Sequence, residues 1–116
     1  MKMYHGWRDA NGTAHVNVEL LPLDPRLDLA NHSPTGFEWG YGGSGPAQLA
    51  LALLADAVGS DRVALRLHQP FKWRFVAKLA RHREWWISSL RVMHMAGELA
   101  QADLLMEVPL NRLGRT

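Results

Sequence analysis

Gly40-Tyr41-Gly42-Gly43-Ser44-Gly45-Pro46-Ala47-Gln48-Leu49-Ala50-Leu51-Ala52-Leu53-Leu54 decides how this chain is read, because a glycine-rich loop runs straight into an apolar segment. Pro46 suits a first helical turn, where its missing N–H has no partner to lose. With Gly45 at the cap, Gln48 falls at the third helical position and can reach back to the cap. Four leucines with alanines between them leave almost no polar side, the pattern of a helix buried on most faces. Residues 46–58 are therefore predicted as the central helix of the core, ended by Gly59. The glycines at 40–45 let the chain turn tightly into it.

Toward the N-terminus, Asp9-Ala10-Asn11-Gly12 is a hairpin turn signal, since Asn and Gly tolerate the positive φ of tight turns. The run Thr13 to Leu20 alternates small or apolar with polar residues, as a half-buried strand does. A β-hairpin over residues 3–20 follows. Pro22, Pro25 and Pro34 make residues 21–36 a loop, whose leucines drape it over the core. Phe37-Glu38-Trp39 is a short extended piece.

Toward the C-terminus, Val63, Leu65 and Leu67 alternate with Arg62, Arg66 and His68, which predicts a strand over 62–68 with one basic face. Pro70 opens a helix over 70–83, with Phe71, Phe75 and Leu79 on one stripe and Arg74, Lys78 and Arg81 on another. Residues 84–87 are a connector or short strand. Ser88 caps a last helix over 89–106. That helix carries two apolar stripes: Leu90, Met93, Gly97, Ala100 and Leu104, and Val92, Met95, Leu99, Ala102 and Met106. Burial in the core and pairing with a second copy, a homodimer through residues 89–106, both stay open.

These elements predict an α+β domain over 1–116, an N-terminal hairpin with a short antiparallel sheet packed on about three helices. A chain of 116 residues with 47% hydrophobic and 21% charged side chains can bury an ordinary core. The absence of cysteine excludes disulfides and thiolate chemistry. No run approaches the roughly 20 apolar residues of a membrane span, and the simplest expectation is a cytoplasmic protein. The net charge of +2 hides an asymmetry: residues 62–91 hold eight of the 13 basic side chains and a single acid, Glu84. Such a split either steers an anionic partner or is internal complementarity between two parts of the fold.

Catalytic patterns fail on inspection. Gly40-x-Gly42-x-x-Gly45 spells a dinucleotide-binding motif, but the repeated strand–helix units it requires are missing. Pro46-Ala47 stands where a phosphate loop needs Lys and Ser or Thr. Gly42-Gly43-Ser44-Gly45-Pro46 lacks the last glycine of a nucleophile elbow. Residues Gly42, Gly43, Ser44 and Gly45 are kept as an anion-binding alternative, since helix N-termini present free N–H groups. His5, His15, His32, His68, His82 and His94 include no pair at the helical spacing of a metal site. His94 and Glu98 share a helix face as an ordinary ion pair. No catalytic, metal or cofactor residues are expected.

The basic stretch is interleaved with Phe71, Trp73, Phe75, Trp85 and Trp86. Cations with aromatics bind nucleic acid through phosphate contacts and stacking, and Arg and Trp are equally enriched at protein–protein hot spots. Partner-binding residues are expected among Arg74, Lys78, Arg81, Trp73 and Trp85.

The run Asn31-His32-Ser33-Pro34-Thr35-Gly36-Phe37-Glu38-Trp39 together with Gly40 to Leu54 resembles the DUF6166 type of small uncharacterised bacterial, phage and plasmid proteins, whose hallmark is Gly-Tyr-Gly-Gly-Ser-Gly-Pro-Ala-Gln-Leu-Ala. Tyr4-His5-Gly6-Trp7-Arg8 and Leu65-Arg66-Leu67-His68-Gln69, leading into Phe71-Lys72-Trp73, are similar as well. The likeness covers about residues 3–87; from Ser88 the longer Met-rich helix departs from it. The resemblance supplies no catalytic residues. It implies a mobile-element setting, in which short proteins often act by binding, as regulators or as inhibitors of host defence such as CRISPR–Cas complexes. The expected function is a non-enzymatic binding protein using the basic, aromatic surface on a protein partner. The alternatives are a nucleic-acid-binding regulator and a ligand binder or enzyme using the glycine-rich loop.

Overall fold

The computed structural model describes residues 1–115, and the side chains of residues 1–104. Strand β1 (Met3–Arg8) turns at Asp9–Gly12 and pairs antiparallel with β2 (Ala14–Val18), with Trp7 opposite His15 and Tyr4 opposite Val18. The Asp9 carboxylate accepts from the N–H groups of Asn11 and Thr13 and closes that turn. A two-residue strand, β3 (Leu21–Pro22), extends the sheet on the β2 side within the segment read as loop. On the other side β1 pairs antiparallel with β4 (Trp85–Ser88), giving the order β3-β2-β1-β4. The four-stranded antiparallel sheet with three helices is the α+β arrangement that the patterning predicts.

Helix α1 (Ser44–Val58) is buried from Gly45 to Ala55 and ends at Gly59 in the left-handed conformation. It begins two residues earlier than the proline suggests: Gly43 is the cap and Pro46 lies within the first turn, where N–H groups have no intrahelical partner. Gln48 does not cap the helix. Its side chain is fully buried and faces the 25–33 loop. There its carbonyl accepts from the N–H groups of His32 (2.8 Å) and Ser33 (3.1 Å), and its amide donates to the carbonyls of Pro25 (2.6 Å) and Ala30 (3.0 Å). All its hydrogen-bonding capacity is used to hold the loop on the core.

Residues 62–68 are not a strand. They form the first half of α2 (Asp61–Arg74), whose N-terminus is capped by the Ser60 hydroxyl accepting from the Val63 N–H. The alternation of Val63, Leu65 and Leu67 coexists with a helical set, Ala64, Leu67, His68 and Phe71, and it is the latter that is buried while Leu65 faces solvent. A capping serine followed by an acid in the first turn satisfies two helix preferences at once. Pro70 therefore lies inside this helix rather than at the start of another. The predicted helix over 70–83 is instead the end of α2, a 3-10 turn at Val76–Lys78 and an irregular link to β4.

Helix α3 (Ser89–Arg115) follows β4 directly, and Ser88 caps it by accepting from the Arg91 N–H at 3.1 Å. Its two apolar stripes differ. Val92 and Met95 are buried, whereas Leu90, Met93, Gly97, Ala100 and Leu104 face solvent. The side chain of Met106 lies outside the described residues. One cluster of buried side chains joins β1, β2, β4, α1, α2 and α3, with Trp39, Tyr4 and Phe71 the largest that are fully buried. No helix is long and apolar enough to cross a membrane among the described residues.

Candidate functional site

The glycine-rich loop is packed against the protein's own side chains. Gly40 has φ +89° and lies so near the Arg81 backbone that a Cβ would come within 2.7 Å of it. Both conditions require glycine. At Gly42 a Cβ would fall 2.0 Å from the Trp73 indole. The Gly40 N–H donates to the Val76 carbonyl at 3.1 Å and ties the loop to the 3-10 turn. The close approach that glycines allow a ligand is thus used by Arg81 and Trp73. Ser44 is exposed and lines, with Tyr41, Glu38 and the Asn11–Thr13 turn, a polar cavity of about 430 Å³.

Trp73 is 56% exposed although its indole is wedged on Gly42. The Lys72 ammonium lies 4.5 Å from its ring centroid, on a side chain that is otherwise buried. Beside it the Arg81 guanidinium stands 4.7 Å over the Tyr41 ring. Such cation–π contacts hold both partners in place. Lys78 is exposed in the 3-10 turn.

Two expected residues behave differently. Arg74 is ion-paired with Glu98 of α3, which also faces His94 at 3.5 Å. Trp85 is 6% exposed, edge-on to Trp39 and Phe75, and its ring covers Gly6. Strand alternation puts Trp85 inward and Trp86 outward, so Trp85 is a core residue and not part of the exposed aromatic surface. The expected single helical stripe of Arg74, Lys78 and Arg81 is also absent, since α2 ends at Arg74.

Most acids pair outside the basic stretch. Asp56 takes Lys2, Glu38 takes Arg8, and Asp28 and Asp61 share Arg26. Within residues 62–91, Arg66 is bridged to Asp103 and Arg74 to Glu98. Among the described residues, Arg62, Lys78, Arg81 and Arg83 form no ion pair. The Arg8 hydrogen bonds first, and the charges of Arg8 and Arg81 after them, hold Glu38 below the usual carboxylate range.

A second cluster was hidden from sequence spacing. His32 on the 25–36 loop and His68 on α2 bring their Nε2 atoms to 3.0 Å. Burial first, then the neighbouring His68 and Lys72, lowers the His32 pKa. Both histidines lie within the quoted family-like segments, the signal that could have singled them out.

The model of a family of unknown function, DUF6166, matches residues 4–98. No curated protein and no solved structure matches. The matched span takes in the sheet, the glycine-rich loop, α1, α2 and the first part of α3, and the chain therefore belongs to the DUF6166 family.

Proposed function

We propose that this chain is a non-enzymatic binding protein that captures an acidic protein surface where the end of α2 meets the glycine-rich loop. The observation that carries this reading is Trp73, a half-exposed indole fixed by Gly42 beneath it and Lys72 beside it. A large aromatic side chain that is rigid before binding loses little entropy in the complex, which is how hot-spot residues contribute. Arg81, over the neighbouring Tyr41, and Lys78, exposed in the 3-10 turn that is tied to Gly40, form no ion pair among the described residues and supply the charge complementarity. Arg81 also keeps Tyr41 in the same surface.

Affinity capture from a bacterial lysate with the intact chain, compared with Trp73→Ala and with Lys78→Glu/Arg81→Glu, tests this. Partners retained by the native chain should be lost from both variants while their circular dichroism and melting stay native-like. Undiminished capture by both removes the proposal. The narrower reading, a partner in a nucleic-acid-guided host defence complex, adds that the native chain and not these variants inhibits such a complex.

A nucleic-acid partner is the second reading, favoured by Arg62, Lys78, Arg81 and Arg83, which form no ion pair among the described residues. It requires binding to DNA or RNA that weakens steeply with salt. No mobility shift at low salt ends it.

A further inference from the structure

We propose that His32 and His68 form a binding site for a divalent first-row transition ion, Cu2+ above the others, held between their two Nε2 atoms. The pair is assembled by the fold from residues 36 apart in sequence, on a loop and on α2. His68 is 7% exposed and its ring is fixed at the far side. Its Nδ1–H donates to the Leu65 carbonyl at 2.8 Å, with the Ala64 carbonyl at 3.2 Å. That bond sets the tautomer: Nε2 carries no proton and its lone pair points at His32. Anchoring of the distal ring nitrogen on a backbone carbonyl is the usual support of a metal-ligating histidine. The other ligand is placed by Gln48, which accepts from the His32 backbone N–H at 2.8 Å.

The separation is within reach of a shared ion. Two metal–nitrogen bonds of about 2.0 Å at a right angle put the nitrogens about 2.9 Å apart, and a tetrahedral angle needs about 3.3 Å. The observed 3.0 Å is the hydrogen bond between the two rings, and a shift of a few tenths of an ångström reaches either arrangement; Cu2+ is placed first because it binds N and O donors tightest among the divalent ions. The Gln69 side-chain amide is 3.5 Å from His68 Nε2, and half a turn of that amide presents its oxygen as a third donor. Among the described residues no third histidine, cysteine or carboxylate joins the pair, so water or a partner's group completes the coordination.

The proton inventory closes without a co-reactant. With His68 protonated on Nδ1, the single proton between the two Nε2 atoms belongs to His32. When the ion binds, that proton leaves Nε2 and His32 takes one from solvent on Nδ1. Both imidazoles stay neutral, and no net proton is released. The Lys72 ammonium close by opposes the ion's charge, as it opposes a charged His32.

The test uses tag-free full-length protein titrated with Cu2+, Ni2+ and Zn2+ by calorimetry, with electron paramagnetic resonance of the Cu2+ form. One Cu2+ should bind with two imidazole nitrogens in its spectrum, more tightly than Ni2+ or Zn2+. His32→Ala, a change on a partly buried loop residue, should weaken binding at least tenfold, and His68→Gln should do the same. Lys72→Met should tighten it several-fold. The double variant His5→Gln/His15→Gln, which removes the histidines of the sheet surface, should bind as the native chain does. Equal Cu2+ affinity in the native chain and His32→Ala overturns the proposal, as does a Cu2+ signal lost only in the His5→Gln/His15→Gln variant.

Discussion

Replacing Gln48 with leucine keeps the volume of a fully buried side chain and deletes four hydrogen bonds in one step. The carbonyls of Pro25 and Ala30 and the N–H groups of His32 and Ser33 then lose their partner. A buried polar group left unsatisfied costs about 1–3 kcal/mol. Those four residues are only partly buried, so water entering from the loop side restores some of the bonds. A net loss of about 3–5 kcal/mol is expected. For a chain of this length, about 1 kcal/mol corresponds to about 4 °C of melting temperature, so the midpoint should fall by about 12–20 °C. Urea unfolding followed by tryptophan fluorescence measures the free energy, and calorimetry the midpoint. Hydrogen exchange adds a local readout, in which the amides of His32 and Ser33 lose protection before those of α1. A loss below about 1 kcal/mol with those amides still protected would refute the idea that Gln48 holds the loop.

Gly42→Ala places a methyl group into the Trp73 indole; partner capture should fall as in Trp73→Ala, with a helical circular dichroism spectrum retained, and unaltered capture would separate the loop from the binding surface. Glu38 accepts two hydrogen bonds from Arg8, at 2.7 and 3.2 Å, and its pKa lies below its ordinary 4.5 when folded. Its contribution to stability is therefore present above about pH 4.5 and lost as pH falls through the folded value, so Glu38→Gln should flatten part of the acid limb of a stability–pH curve. Asp9, lowered by its hydrogen bond to His15, and Asp28, lowered by its bonds to Arg26, have the same sign, and some acid dependence should survive in that variant. Leu90 and Met93 lie on the exposed stripe of α3, and Leu90→Glu/Met93→Glu should leave the circular dichroism spectrum unchanged while converting a homodimer to monomer in light scattering; a native chain that is already monomeric removes that expectation.

Sequence pattern reached the elements whose signals are local. The Asn11-Gly12 turn, the apolar run after Pro46, Gly59 as a stop and Ser88 as a cap all act within a few residues, and each stands where its chemistry put it. Residues 62–68 failed because Val63, Leu65 and Leu67 satisfy a period of two while Ala64, Leu67, His68 and Phe71 satisfy the helical period. The Ser60-Asp61 capping signal was present to arbitrate between them. At the candidate binding surface, the aromatic and basic composition was legible, but not which members reach solvent.

Tertiary structure alone decided that Trp85 faces the core and Trp86 does not, since a one-residue change in pairing with β1 would exchange them. It likewise brought Glu98 to Arg74, Arg81 to Gly40 and His32 to His68. Those meetings depend on how α1 and α3 pack against α2 and how Gln48 folds the loop back, and contacts between residues 24 to 41 apart leave no periodicity in the sequence. Local preference is written in neighbouring residues; the juxtaposition of distant side chains exists only once the core has closed.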